Sequence, residues 1–435
     1  MVSVRKRGKV YEYRFSITSI DGVRKWIQKS GFKTRQEALQ QGALAYNEYY
    51  RVGRVQKQKN MSYSDFLDYW IDTYCNFNLK YSTIVTYLNI IKNYLKPRLG
   101  MYSLSQIDAQ MLQEFINDIY VEKHLSKWYL KGILKAIKGS LRYACYDVNF
   151  INENPAERVH IPRYEVVSGD PAHIFTQEEI ERILARFSDV HHVYYAFLTA
   201  YYTGLRVSEV FGLTWDCIDF ERKTLTVNKN IIKKNRDGKP KKYSVSKGHS
   251  VEVWFYGTCK NPQSNRTISI GDTLVKALKQ YKNEQEEYKQ FYGDAYLKHY
   301  EKKILNEYTK REEIKIVDAK AELDINLPEA ELVFVKPNGQ FRGTETVRHA
   351  FKVINYELGI KCRFHDFRDT HATRLIEQGA DIKAVSKRLG HSTIQTTYNI
   401  YVRVTSKMET DTVDRFENYT NSLNIPKTKE SDFFD

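Results

Sequence analysis

Six residues between positions 206 and 401 combine five basic side chains with one phenol, in a fixed order: Arg206, Lys260, His365, Arg368, His391 and Tyr401. They stand in short segments: TGLRVSE at 203–209, GTCK at 257–260 ahead of SNRTI at 264–268, HDFR at 365–368, and LGHS at 389–392 with Tyr401 ten residues after the histidine. Two arginines, a lysine, two histidines and a tyrosine with no excess of carboxylate suit phosphoryl transfer without a metal. In such a site guanidinium forks neutralise the non-bridging oxygens of a pentacoordinate phosphate. A Mg²⁺-dependent nuclease would instead concentrate Asp and Glu. His365, Asp366, His371 and His391 raise a metal reading, but their spacing fits no common ligand pattern and the nearby arginines repel a cation. His365 and Arg368 are three apart, on one face of a helix, and Arg206 and Glu209 share that spacing. Glu209 can therefore hold the helix or orient a partner. Taken singly, TGLRVSE is an ordinary helix start and HxxR is commonplace; order and company carry the signal.

The elements that position these residues are legible in outline. A chain of 435 residues with 42% apolar content is long enough for two to four domains with real cores. Thirty-three tyrosines and five tryptophans argue against general disorder. No apolar run approaches the roughly 18 residues of a membrane span. The basic segment MVSVRKRGKVYEY lacks the apolar stretch of a secretory signal, so a cytoplasmic location is expected. Cys75, Cys145, Cys217, Cys259 and Cys362 are scattered and never spaced C-x-x-C, as expected of reduced thiols. The net charge of +15 attracts polyanions, nucleic acid foremost. Residues 1–60 hold 14 Lys or Arg against 4 Asp or Glu, so most of the excess sits in one small region.

Residues 1–55 read as a small three-stranded sheet plus a helix. Tyr11, Tyr13, Phe15 and Ile17 alternate through Val10–Thr18, Asp21-Gly22 offers a hairpin turn into 23–29, and Thr34 with Glu37 opens a helix at Arg35. Arg5, Lys6, Arg7, Arg24, Lys25 and Lys29 lie on or beside the strands and are the candidate DNA-binding set. Residues 61–160 show four apolar-periodic stretches, 61–74, 82–95, 108–122 and 127–148, with Ser105 and Asp108 as helix starts: a four-helix module in which nothing suggests chemistry. From about 170 to 415 helices at 176–187 and 193–202 precede β-like runs at 224–230, 250–256 and 266–270, then further helices: a mainly α region with a small antiparallel sheet, α+β in class. Residues 416–435 read as a tail.

The ordered set Arg206, Lys260, His365-x-x-Arg368, Leu-Gly-His391 and Tyr401, with the flanking TGLRVSEVFGLTW, FHDFRDTHATRLIEQG and LGHSTIQTTYNIY, strongly resembles the tyrosine recombinase (phage integrase) family, in particular integrases of phages and conjugative transposons. The resemblance is tight over about 170–410. It extends loosely to 61–160 as a core-binding domain and to 1–55 as an arm-type DNA-binding domain. It implies a site-specific recombinase that cleaves and rejoins DNA through a 3′-phosphotyrosine, with neither cofactor nor metal. Tyr401 would be the nucleophile, and a phenol of pKa about 10 then needs a base or a strongly cationic site. His365 would be that base, Arg206 and Arg368 the phosphate clamps, Lys260 the acid for the leaving 5′-oxygen, and His391 a hydrogen-bond partner of the phosphate. Tyr398 is a rival nucleophile, and Lys242 and Lys247 are rival lysines. The implied partners are double-stranded DNA with core and arm attachment sites, four protomers on that DNA, and an excision factor or a host DNA-bending protein. Residues 229–247 and about 281–330 look like insertions, the first basic and suited to DNA, the second without a derivable role. The segment after Tyr401, 402–423, is amphipathic and suits packing on its own domain or on a neighbouring subunit. Two other readings share these features: relaxation of DNA by a type IB topoisomerase, and DNA binding without catalysis.

Overall fold

The computed structural model describes residues 2–18, 24–52, 61–163, 173–235, 252–258, 262–306, 309–401 and 417. The chain divides into two compact units, Met1–Val166 and Val167–Pro240 with Ser246–Asp435.

In the first unit, strands β1 (Ser3–Arg7), β2 (Val10–Thr18) and β3 (Arg24–Phe32) form an antiparallel sheet in the order β1-β2-β3, followed by helix α1 (Arg35–Val52). Alternation along β2 decides the faces. Tyr13 and Phe15 are buried with Ala45 of α1 in one small core. Glu12, Arg14 and Ser16 point the other way, and the register sets Arg5 opposite Glu12, Gln28 opposite Arg14 and Trp26 opposite Ser16. Thr34 Oγ1 accepts from the Glu37 backbone N–H, the expected cap of α1.

The same unit holds a helical module with its own core. It comprises α2 (Tyr63–Trp70), α3 (Asn76–Asn78), α4 (Tyr81–Ile90), α5 (Lys96–Leu99), α6 (Ala109–Lys123) and α7 (Lys127–Arg142). Widened π turns at Ile71–Cys75 and Ile91–Leu95 join α2 to α3 and α4 to α5, and a third at Tyr143–Asp147 ends α7. The four predicted helical stretches are therefore present, three of them running on through or into such a turn. Asp108 caps α6, accepting from the Met111 N–H. Ser105 does not start a helix: Ser103, two residues earlier, forms the capping box of the short turn Leu104–Gln106 because Gln106 reaches back to its backbone N–H.

The second unit opens with α8 (Gln177–Arg186), α9 (His191–Thr203) and α10 (Val207–Val210), the first capped by the expected Thr176–Glu179 box. Strands β4 (Ile218–Asp219), β5 (Thr224–Val227), β6 (Lys229–Asn235), β7 (Glu252–Thr258) and β8 (Arg266–Ser269) follow. Then come α11 (Asp272–Tyr292), the hairpin β9 (Leu297–Asn306) and β10 (Arg311–Lys320), and α12 (Glu345–Glu357), α13 (Phe364–Glu377), α14 (Ile382–Leu389) and α15 (Ile394–Tyr401). Where one small sheet was expected, the described residues form two antiparallel ones, β6-β7-β10-β9 and β4-β5-β8. The run 224–230 splits at Asn228 between them. Strands β7 and β8 lie in different sheets. The charged stretch at 281–330 also gains a structural role: it supplies the end of α11 and the hairpin that completes the four-stranded sheet. Helix α9 sits at the centre, with Tyr195, Phe197 and Ala200 all buried, as a helix apolar on every side must be. Phe197 packs against Phe364 and Phe367 of α13, fastening the HDFR segment to the core. Cys75, Cys145, Cys217 and Cys362 are free and buried. Among the described residues no helix is long and apolar enough to cross a membrane.

Truncating Phe66, fully buried in the helical module, is expected to cost about 3–5 kcal/mol as Phe66→Ala. Phe77→Ala, at a position 42% exposed, should cost far less. Urea denaturation followed by circular dichroism compares the two.

Candidate active site

Local structure brings four of the six expected residues to one place. Helix α9 stops at Gly204, whose φ of +65° is the left-handed C-cap conformation. Two residues on, Arg206 is the N-cap of α10. Its backbone N–H donates to Glu209 Oε2 (3.1 Å) and its Nη1 to Glu209 Oε1 (2.7 Å), so the i,i+3 spacing works as read. Helix α14 stops the same way at Gly390 (φ +67°) and turns the chain toward His391. A Cβ on Gly390 would lie 2.9 Å from the Gln263 carbonyl oxygen, so the glycine also lets the segment before β8 approach.

Arg368 joins these pieces. It is fully buried in α13, and its Nη1 donates to the Gly204 carbonyl (2.8 Å) and its Nη2 to the Leu389 carbonyl (2.6 Å). The carbonyls at the ends of α9 and α14 are thus held by one guanidinium. Burial, with Arg206 and Arg266 close by, lowers its pKa to about 9, which leaves it charged at neutral pH.

The sequence reading did not single out Arg266, yet it is the second hub. From β8 its Nη2 donates to Glu209 Oε2 (3.0 Å), its Nε to the Arg388 carbonyl (2.7 Å) and its Nη1 to the Ser264 carbonyl (3.0 Å). Glu209, 3% exposed, therefore sits between Arg206 and Arg266. Burial works against its carboxylate, but the two arginines outweigh that and hold its pKa below the ordinary value. A further clamp was also missed: Arg388 donates to His371 Nε2 (3.1 Å) and to the carbonyls of Ser269 and Tyr202, while His371 Nδ1 meets the Tyr201 carbonyl (2.9 Å). The SNRTI segment held the only sequence hint of Arg266; its partners Glu209 and the Arg388 carbonyl lie 57 and 122 residues away.

The histidines are tuned toward neutrality. His365 opens onto solvent near the start of α13, with Nε2 3.6 Å from Asp369 Oδ1. Desolvation together with Arg368 and Arg206 lowers its pKa, opposed by Asp369. His391 is half-buried, and desolvation with Arg368 and Arg206 takes its pKa to about 3. Its Nδ1 lies 2.8 Å from Thr397 Oγ1, which ties α15 to the LGHS turn. Tyr401 ends α15 one turn beyond Thr397; only its backbone is among the described residues. Tyr398, the rival, is 47% exposed. Lys260, Lys242 and Lys247 lie outside the described residues, as do 402–416 and 418–435, which contain almost all of the amphipathic segment and the expected tail. Among the described residues no group of three or more His, Cys, Asp or Glu side chains is arranged to hold a metal ion.

In the N-terminal sheet, strand alternation separates the candidate DNA-binding residues. The register puts Arg5 and Arg7 on the face away from α1, and Lys6 and Lys29 opposite Tyr11 and Tyr13 on the face toward it. The side chains of Arg24 and Lys25 are outside the described residues. Three residues of the open face were missed: Glu12, whose carboxylate takes both Arg5 (2.8 Å) and Arg7 (3.1 Å), and Arg14 stacked over Trp26 (5.0 Å).

Family comparisons match residues 173–408 to the phage integrase family, 62–120 to the phage integrase N-terminal SAM-like domain, and 2–43 to an arm DNA-binding domain. The chain is 29% identical over 422 residues to a XerC-like tyrosine recombinase of Caldanaerobacter subterraneus subsp. tengcongensis, covering 94% of this chain and 96% of that protein. It is 20% identical over 391 residues to the ICEBs1 integrase of Bacillus subtilis, covering 88% and 90%. Its fold is similar to that of the Tn1549 transposon integrase in complex with transposon right end DNA, with a TM-score of 0.57 at 19% identity over 82% of this chain and 100% of that one. A lambda integrase tetramer bound to a Holliday junction gives 0.50 at 16% identity over 92% and 94%.

The Glu209 network predicts a pH dependence with a defined sign. Because its folded pKa lies below the unfolded value near 4.5, its stabilisation is complete above that value and is lost as pH falls through the folded pKa. Glu209→Gln strands Arg206 and Arg266 and should cost about 3–5 kcal/mol at pH 7. The gap from wild type should narrow below about pH 4 in unfolding titrations.

Proposed function

The chain belongs to the phage integrase family and is a tyrosine-type site-specific DNA recombinase, and from that premise we propose how its own residues carry the reaction. Tyr401 Oη attacks a backbone phosphorus of duplex DNA. The P–O5′ bond breaks, leaving a 3′-phosphotyrosine and a free 5′-hydroxyl. Because the new bond conserves phosphoester energy, attack by a second 5′-hydroxyl rejoins the strand without ATP, and integration and excision run through the same intermediate.

The observation that carries this reading is the convergence of Arg206, Arg368, His365 and His391, with α15 tied to His391 through Thr397. Arg206 and the charge of Arg368 stabilise the phosphate oxygens as negative charge grows. Arg368 already gives one N–H from each terminal nitrogen to a carbonyl, so its share is the field and its remaining N–H groups. His365, whose low pKa leaves it neutral at pH 7, takes the phenol proton. Lys260 delivers a proton to O5′, and neutral His391 donates to a non-bridging oxygen. The open face of the N-terminal sheet, with Arg5, Arg7, Arg14 and Trp26, suits an arm site in a DNA groove, and the helical module suits the core site. Four protomers exchange strands between two duplexes, and an excision factor or DNA-bending protein sets direction.

Tyr401→Phe should abolish covalent trapping on a nicked duplex carrying the joined ends of the element, with binding intact, whereas Tyr398→Phe should still trap. The reverse pattern on denaturing gels would move the nucleophile to Tyr398. Deleting residues 1–55 should spare that cleavage and weaken integration on full-length attachment sites; equal integration by the truncated chain would remove the arm-site role.

A further inference from the structure

One buried carboxylate beside the reacting groups has no part in the scheme above. Asp369 follows Arg368 on α13, one turn beyond His365, and is 5% exposed. It lies inside the helix, where it caps nothing and where Asp is a poor helix former. Among the described residues no hydrogen-bond donor reaches its buried Oδ1. An ionised carboxylate in such a place is unfavourable unless a cation offsets it. The arginines on or at the start of its own helix are committed elsewhere: Arg368 to the Gly204 and Leu389 carbonyls, Arg363 to Asp366 at 3.4 Å, and Arg374 to Glu377 and the Phe175 carbonyl. The ion pair that remains is with His365, whose Nε2 lies 3.6 Å from Oδ1.

We propose that Asp369 is a positioning residue for His365: it draws the Nε2–H of the imidazole toward its carboxylate and so leaves the Nδ1 lone pair to take the phenol proton. The inference rests on the reading of His365 as the base. The 3.6 Å separation is longer than a hydrogen bond and closes as the ring becomes cationic. As Tyr401 Oη bonds to phosphorus its proton passes to Nδ1. The P–O5′ bond breaks with its electron pair on O5′, which takes a proton from Lys260. The imidazolium left behind faces the Asp369 carboxylate. The charged and titratable groups around His365 are Arg206 from the start of α10, Arg368, Asp366 and Asp369 from its own helix, and His391 beyond α14. Of these, the arginines and desolvation oppose the proton, and Asp369 is the strongest group favouring it.

The first test needs no DNA. In the full-length chain, NMR titration of the His365 ring, assigned by its loss in His365→Gln, should show a lower pKa and a changed tautomer in Asp369→Asn. An unchanged His365 titration in a folded Asp369→Asn protein overturns the proposal. The second test follows the rate of covalent trapping against pH on the nicked duplex. Asp369→Asn should lower the plateau on the order of tenfold to a hundredfold and move the acidic limb to lower pH, because the base then loses its proton more readily. Asp369→Glu should recover part of the rate. A lower plateau with an unmoved acidic limb makes Asp369 merely structural and overturns the proposal. If the NMR shift is present but the wild-type chain never traps DNA, the recombinase chemistry fails and the pairing stands.

Discussion

The site depends on a single buried charge. Arg368 has no exposed surface, and its guanidinium grips the carbonyls at the ends of α9 and α14. Those carbonyls belong to Gly204 and Leu389, immediately before the segments that present Arg206 and His391. A helix end leaves carbonyls without partners, and two such ends meeting in the interior would be costly unless a donor stood between them. Arg368 is that donor, and the two carbonyls help offset the desolvation of its charge. Lysine could not replace it: one ammonium lacks the planar fork that reaches two acceptors at once.

Around this centre desolvation, together with the same arginines that make the site cationic, favours the neutral form of the two histidines. A proton on either ring would add to a field that already repels it. Neutral imidazole is the form that accepts a proton, or donates one hydrogen bond from a fixed tautomer. His391 shows how that tautomer can be set, since its Nδ1 is engaged by Thr397. The contact also joins the LGHS turn to the helix bearing Tyr401. In the proposed reaction, positioning Tyr401 and orienting His391 toward the phosphate are therefore one structural event.

What was legible in the sequence was mostly local. The caps at Thr34, Asp108 and Thr176, the alternation in β2 and the four helical stretches follow from neighbours within a few residues, and the structure places them as read. The order of the catalytic segments was legible because chemistry restricts the residue types. Three things were not. The division of the strands between two sheets depends on pairings such as β10 with β7, about 60 residues apart, which no local pattern encodes. The partners of Arg266 are equally remote. The faces of the N-terminal sheet were left undivided for a different reason: six basic residues were pooled by proximity in sequence, although period-two alternation separates Arg5 and Arg7 from Lys6.

Charge counting explains why the assembly suits a phosphodiester. Among the described residues Arg206, Arg266, Arg368 and Arg388 bring four positive charges to the site, and Glu209, Asp366 and Asp369 bring three negative ones. Glu209 is spent on holding Arg206 and Arg266 in place, which stabilises the fold before any DNA arrives. The residual positive charge matches the single negative charge of a diester. A pentacoordinate phosphate carries one more, so the unbalanced field favours the transition state over the bound ground state. Had the acidic residues matched the arginines one for one, the fold would be no worse, but the site would have no preference for the species it must stabilise.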